Sequence, residues 1–157
     1  MKRSPLNVFL LLLQYMLVFA ELWTLSSCLL HQYHFVTENK TWSEAQKFCR
    51  DSYTDLATVT NIEEMNQIIS IADSNSFSGD AWIGLYNDVN SWRWSLSNTT
   101  FYGQGESEFR MWAIGQPNNA KGRETCGEIS SYGRWWDEYC GILKAFICYD
   151  QGKLSNK

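Results

Sequence analysis

No run of lysine or arginine occurs in this chain, and its formal charge is -4 at pH 7. Binding to nucleic acid relies on a basic surface, so a nucleic-acid partner is argued against. Internal repeats, low-complexity stretches, a collagenous segment and a heptad run are also missing, which leaves no sequence device for multimerisation. No two cysteines stand in Cys-x-x-Cys spacing, which speaks against a thiolate zinc or redox site. Histidine is scarce: His31 and His34 have no serine or cysteine nucleophile in evident partnership, so no triad can be drawn. Scattered carboxylates do not by themselves make a glycosidase pair. These absences favour a binding module over an enzyme.

What is present begins with a leader. Lys2 and Arg3 precede an apolar run over 8–20 that only Gln14 interrupts, and Ser26, Ser27 and Cys28 follow, with Val18-Phe19-Ala20 as an earlier cleavage option. The uninterrupted apolar stretch is shorter than the roughly 20 residues a membrane span needs. The expectation is a signal peptide at 1–28, one domain at 32–150 and a tail at 151–157. The protein is then secreted and extracellular, with no stable membrane anchor after cleavage. The chain's 157 residues suffice for one domain with a real core but not two. Asn39-Lys40-Thr41 and Asn98-Thr99-Thr100 are acceptor motifs for N-glycosylation, consistent with a secreted surface. Of the five cysteines, Cys49, Cys126, Cys140 and Cys148 should pair in an oxidising compartment, and three connectivities are open. Cys28 is left over, and the cleavage position decides its fate.

Residues 33–36 read as a short strand. Thr41-Trp42-Ser43-Glu44 is a capping box, followed by Ala45, Phe48 and Cys49 on one helical face, so a helix runs to about Arg50. Thr60-Asn61-Ile62-Glu63 has the same form, and Ile62, Met65, Ile68, Ile69 and Ala72 make the stripe of a second helix. Trp82-Ile83-Gly84-Leu85 and Trp92-Arg93-Trp94 read as strands, as do 125–130, 133–137 and 144–149. Between them, 98–123 has no clear period. Segments this long are usually functional or disordered, and Phe101, Tyr102, Phe109, Met111 and Trp112 give this one apolar anchors that would keep it ordered. The fold class is α+β: two helices packed on small antiparallel sheets that carry a long structured loop.

Trp82-Ile83-Gly84-Leu85, Gln116-Pro117-Asn118, and Cys126 with Trp135-Trp136-Asp137, Cys140 and Phe146-Ile147-Cys148 together resemble the C-type lectin-like domain family over about 32–150. The resemblance implies the bridges Cys49–Cys148 and Cys126–Cys140. It also implies a long loop that holds calcium, which in sugar-binding members coordinates two vicinal hydroxyls. Carried over by position, the implied calcium ligands are Gln116, Asn118, Glu124 and Asp137, and the ligand-binding set adds Trp136. Glu124 stands two residues before Cys126 and Asp137 three before Cys140, as the family pattern requires.

Two departures weaken that site. Where the family pairs a carboxylate with an amide around the proline, Gln116 and Asn118 are both amides, so Glu124 and Asp137 are the only charges. Where the family has asparagine, Trp136 offers no oxygen. A second calcium site is argued against by Asn119 and Thr125, which are neutral where acids often sit. Trp135 is expected in the core, and Trp136, pointing the other way along its strand, is the candidate exposed aromatic. Lys121 and Arg123 read as solvated loop charges. The expected function is glycan recognition through the long loop with a weakened calcium site, the partner being a glycan or a cell-surface glycoprotein. The alternative is a calcium-independent domain that binds protein.

Overall fold

Strand β1 (Gln32–Lys40) leads into helix α1 (Trp42–Ser52), then β2 (Asp55–Leu56), α2 (Ile62–Ser74), β3 (Asp80–Asp88), β4 (Ser91–Trp94), β5 (Glu124–Ser130), β6 (Trp135–Tyr139) and β7 (Lys144–Asp150). The computed structural model describes residues 32–88 and 91–151, Asp88 through its backbone alone. The expectations for the leader at 1–28, for Cys28 and His31, and for most of the tail fall outside the described residues. No helix among the described residues is long and apolar enough to cross a membrane.

Helix α1 starts where Thr41 caps it. Its hydroxyl accepts from Glu44 N at 3.4 Å, while its own N–H donates to Glu44 Oε2 at 3.0 Å. Trp42, Ala45 and Cys49 form the buried face. The cap of α2 lies one residue later than the sequence suggests. Asn61 is the N-cap and accepts from Glu64 N at 2.9 Å, and the Glu64 carboxylate reaches back to Thr60 N and Thr60 Oγ1 at 2.7 and 2.9 Å. The spacing fits either register, and burial decides between them. Glu64 is buried among these partners, Glu63 is exposed, and Ile62 drops off the apolar stripe at 46% exposure.

The sheet runs in the order β1-β7-β3-β5-β6, with β2 added on β7 and β4 on β3. Most pairs are antiparallel as expected, but β3 and β7 run parallel through Ala81↔Ala145 and Trp82↔Phe146. A parallel pair needs a long crossover, and the long loop with β5 and β6 supplies it. β1 and β7 bring the two ends of the domain together at Gln32↔Asp150. Gly84 in the Trp-Ile-Gly-Leu stretch has a packing reason. A Cβ there would lie 3.1 Å from the Leu56 carbonyl oxygen and 3.2 Å from that of Ala57, where the chain crosses β3. β6 begins at Trp135 and not at 133, because Gly133 has a positive φ of 83° and closes the β5–β6 turn. Bridges join Cys49 to Cys148 and Cys126 to Cys140.

The long loop is ordered by its aromatics. Phe101 meets Tyr149 edge-on at 5.3 Å, Trp112 lies between Trp92 and Trp135, and Phe109 also contacts Trp135. Tyr102 donates to the Leu96 carbonyl at 2.6 Å, and Arg110 donates to the carbonyls of Trp92, Ser107 and Phe109. These rings are half-buried, so each contributes part of the roughly 1.5–3 kcal/mol that full burial of a large apolar side chain gives, and together they hold an aperiodic segment in place. Two short 3₁₀ turns, Glu106–Glu108 and Ala120–Gly122, fall within it.

Candidate ligand-binding site on the long loop

Met111 to Ala113 runs beside β6, with Trp135 N donating to Met111 O at 3.0 Å and Ala113 N to Trp135 O at 2.9 Å. Trp135, fully buried, fixes this end of the loop to the core. A turn closed by Gln116 N to Ala113 O at 3.0 Å then delivers Gln116, which is joined to Pro117 by a cis peptide bond. The next residues fold down onto β6.

Four of the residues singled out in the sequence come together here. Asn118 N donates to Gln116 Oε1 at 3.1 Å and to Asp137 Oδ1 at 3.0 Å, and Asn118 Nδ2 also reaches Gln116 Oε1 at 3.0 Å. Asn119 N donates to Asp137 Oδ2 at 2.6 Å, and Ala120 N to Glu124 Oε2 at 2.8 Å. Three successive backbone amides are thus held by two carboxylates. Glu124 N in turn donates to Asn119 Oδ1 at 3.1 Å. Asp137 is buried, with 4% of its surface exposed, so its charge has these amides as its main compensation.

Calcium would need some 6–8 oxygens converging on one point. Here both Asp137 oxygens, Gln116 Oε1 and one Glu124 oxygen are spent on the loop's own N–H groups. Arranged in this way, the four side chains turn most of their acceptor oxygens to the loop's own N–H groups, and a calcium ion there would have to share those oxygens with them.

Trp136 does not join them. Gly127 pairs with Asp137, and a Cβ on Gly127 would strike Leu85, so Asp137 shares the face of β6 that carries Trp135 and the loop. Trp136 pairs with Glu128, which pairs with Trp82, on the opposite face. There its half-buried ring meets the exposed Tyr132 edge-on at 5.9 Å. On the same face Glu128 is buried with Lys144 Nζ 2.7 Å away. Burial pushes the Glu128 carboxyl up to about 7, with Lys144 opposing the rise and Asp80 and Glu138 adding to it.

Sequence reasoning passed over Asn119 except as a neutral residue at a second metal position. It adopts a left-handed conformation, φ 44° and ψ 52°, and links Asp137 to Glu124 through its N–H and side-chain oxygen. The available signal is the Asn-Asn pair itself, since asparagine tolerates that conformation and bonds locally. Lys121 and Arg123 are exposed. His34 stacks on Tyr53 at 4.3 Å, away from the loop, with Asp150 at 3.9 Å.

Comparison with known proteins supports the fold. The family model described as Lectin C-type domain matches residues 38–150. L-selectin of Mus musculus is 32% identical over 140 residues, which cover 81% of this chain and 36% of that protein. E-selectin of Oryctolagus cuniculus is 36% identical over 123 residues, covering 74% of this chain and 21% of that protein. The chain therefore spans only about a third or less of these curated relatives. Among solved structures, the C-type lectin CEL-I from Cucumaria echinata superposes with a TM-score of 0.64 at 26% identity, covering 76% of this chain and 89% of that one. With the family match spanning most of the domain and the two bridges in place, the chain belongs to the C-type lectin domain family.

Proposed function

We propose that this domain is an extracellular glycan-recognition module, not an enzyme, and that its long loop presents Gln116, Asn118 and Glu124 to the ligand without calcium as the organising ion. One observation carries the reading. Asp137 holds the Asn118 and Asn119 amides through both of its oxygens, so the loop has an internal anion doing the shaping that a cation would otherwise do. A preorganised loop loses less entropy when it binds. Gln116, Asn118 and Glu124 lie at the surface side of this clamp and offer amide donors and carboxylate acceptors suited to sugar hydroxyls. With an amide on each side of Pro117, the site lacks the acid–amide asymmetry that favours one hydroxyl geometry, so discrimination between mannose-like and galactose-like ligands should be poor.

The test is a glycan array read with secreted protein in calcium and again in chelator, beside calorimetric titration with calcium. Glycan binding should persist in chelator, and the Gln116→Ala, Asn118→Ala double variant should lose it. A signal abolished by chelator would overturn the metal-independent reading. Silence under both conditions would turn the assignment to a protein partner.

A further inference from the structure

An open groove of about 420 Å³ lies between the end of β1, helix α1 and the β6–β7 turn. Its volume is within the roughly 300–1,000 Å³ range of small-molecule clefts. Asn39 and Lys40, at the end of β1, form one wall. Helix α1 forms the floor with Glu44, Lys47, Phe48 and Asp51, which stand at helical spacing on one face, and Leu143 of the β6–β7 turn closes the far side. Trp42 N donates to the Cys140 carbonyl at 3.0 Å, which fixes that turn against the start of α1. The polar groups of the walls are already ordered: Lys47 pairs with Asp51, and Lys40 pairs with Glu38 at 2.9 Å while its Nζ lies 5.6 Å from the centre of the Phe48 ring. Beside these exposed charged groups lie two apolar surfaces, the half-buried Phe48 ring and Leu143, which is 59% exposed.

Asn39, in the groove wall, is also the acceptor of Asn39-Lys40-Thr41, and its side chain is exposed. We propose that Asn39 carries an N-linked glycan whose innermost sugars lie in this groove, with their C–H faces on Phe48 and Leu143 and their hydroxyls toward Glu44, Lys47 and Asp51. In the transfer, the Asn39 Nδ2 bonds to the anomeric carbon of a polyprenyl-diphosphate-linked oligosaccharide. The bond from that carbon to the diphosphate oxygen breaks, the polyprenyl diphosphate leaves with the electron pair, and the amide gives up one proton. Sugar suits the groove because it presents an apolar face and a polar rim together, matching apolar contacts set between ion-paired walls. The glycan then covers apolar surface that the fold leaves open, and the covering is attached to the element it protects.

The inference rests on the extracellular reading, which recovery from the medium tests by itself, and Asn98 is the control acceptor. Asn98 is exposed, with its side-chain oxygen accepting from Thr100 N at 3.1 Å and Thr100 Oγ1 at 2.7 Å, and it does not line the groove. Protein secreted from a eukaryotic host would be mapped by glycopeptide mass spectrometry. Hydrogen exchange would then be compared among wild type, wild type trimmed to a single N-acetylglucosamine, Asn39→Gln and Asn98→Gln. The expected result is a glycan at Asn39, protection of α1 and of residues 140–144 that survives trimming, and loss of that protection in Asn39→Gln but not in Asn98→Gln. An occupied Asn39 with unchanged exchange in Asn39→Gln would overturn the packing. Occupancy at Asn98 alone, or at neither acceptor, would overturn the proposal, while recovery of the protein from the medium by its own leader would leave the extracellular reading standing.

Discussion

Glu128 shows how one buried acid makes stability depend on pH. Its carboxyl is pushed up to about 7 in the folded chain, chiefly by burial and against the opposing pull of Lys144 at 2.7 Å. In the unfolded chain it returns to the ordinary value near 4.5. Between those two values the folded state holds a proton that the unfolded state has lost, so stability is greatest at the acid end and falls as pH rises toward 7. The change attributable to this residue is on the order of 1–3 kcal/mol. Glutamine resembles the protonated acid in shape and hydrogen-bonding capacity. Glu128→Gln should therefore flatten this part of the stability profile, with its advantage over wild type growing from pH 5 to pH 8. Urea titrations at both pH values measure the difference, and a constant offset between the proteins would show that Glu128 does not titrate in this window.

At the scale of elements, the loop around Gln116 is clamped from outside itself by Asp137. Asp137 reaches it from β6, and a hydrogen bond to a charged group contributes roughly 1.5–3 kcal/mol. Asp137→Asn exchanges one of two accepting oxygens for a donor that would face the Asn118 or Asn119 N–H. Amide exchange at 118–120 should accelerate by about tenfold or more, following from a loss of at least roughly 1.4 kcal/mol, while β5 and β7 keep their protection. Unchanged exchange at 118–120 would mean that Glu124 and the loop's aromatics hold the segment without Asp137. The sequence shows the residue types of this contact but not their pairing. Gln116, Asn118, Glu124 and Asp137 stand out through spacing and resemblance, whereas the saturation of Asp137 by backbone amides depends on a loop path that no periodicity encodes. The helices, being local, are far more legible, since Thr41 and Glu44 meet within one turn. Even there the register of α2 escapes the pattern, because Thr60–Glu63 and Asn61–Glu64 are equivalent until burial selects Glu64. β2 escapes for another reason: two residues carry no alternation, and their strand character comes from pairing with distant Tyr149 and Cys148.

Across the whole molecule, the two bridges do different work. Cys49–Cys148 spans 99 positions and ties α1 to β7, the strand on which β1, β2 and β3 all pair. Cys126–Cys140 spans 14 positions and joins the start of β5 to the end of β6, beneath the folded loop. In the chain-entropy account, loops of these sizes contribute roughly 4–5 and about 3 kcal/mol, against a total of about 5–15 kcal/mol for a typical domain. Replacing Cys49 and Cys148 together by alanine should thus lower the stability of the entire domain and shift its single unfolding transition. The Cys126 and Cys140 pair should cost less globally, and its cost should be concentrated in the loop, because Glu124 and Asp137 lie on the two strands it joins. Loosening that junction lets the carboxylates drift apart and releases the amides of 118–120. Chemical denaturation gives the global cost of each double variant, and amide exchange gives its location. A larger global loss from the short bridge, or equal loop exchange in the two variants, would contradict this division between a bridge that closes the domain and one that sets the binding loop.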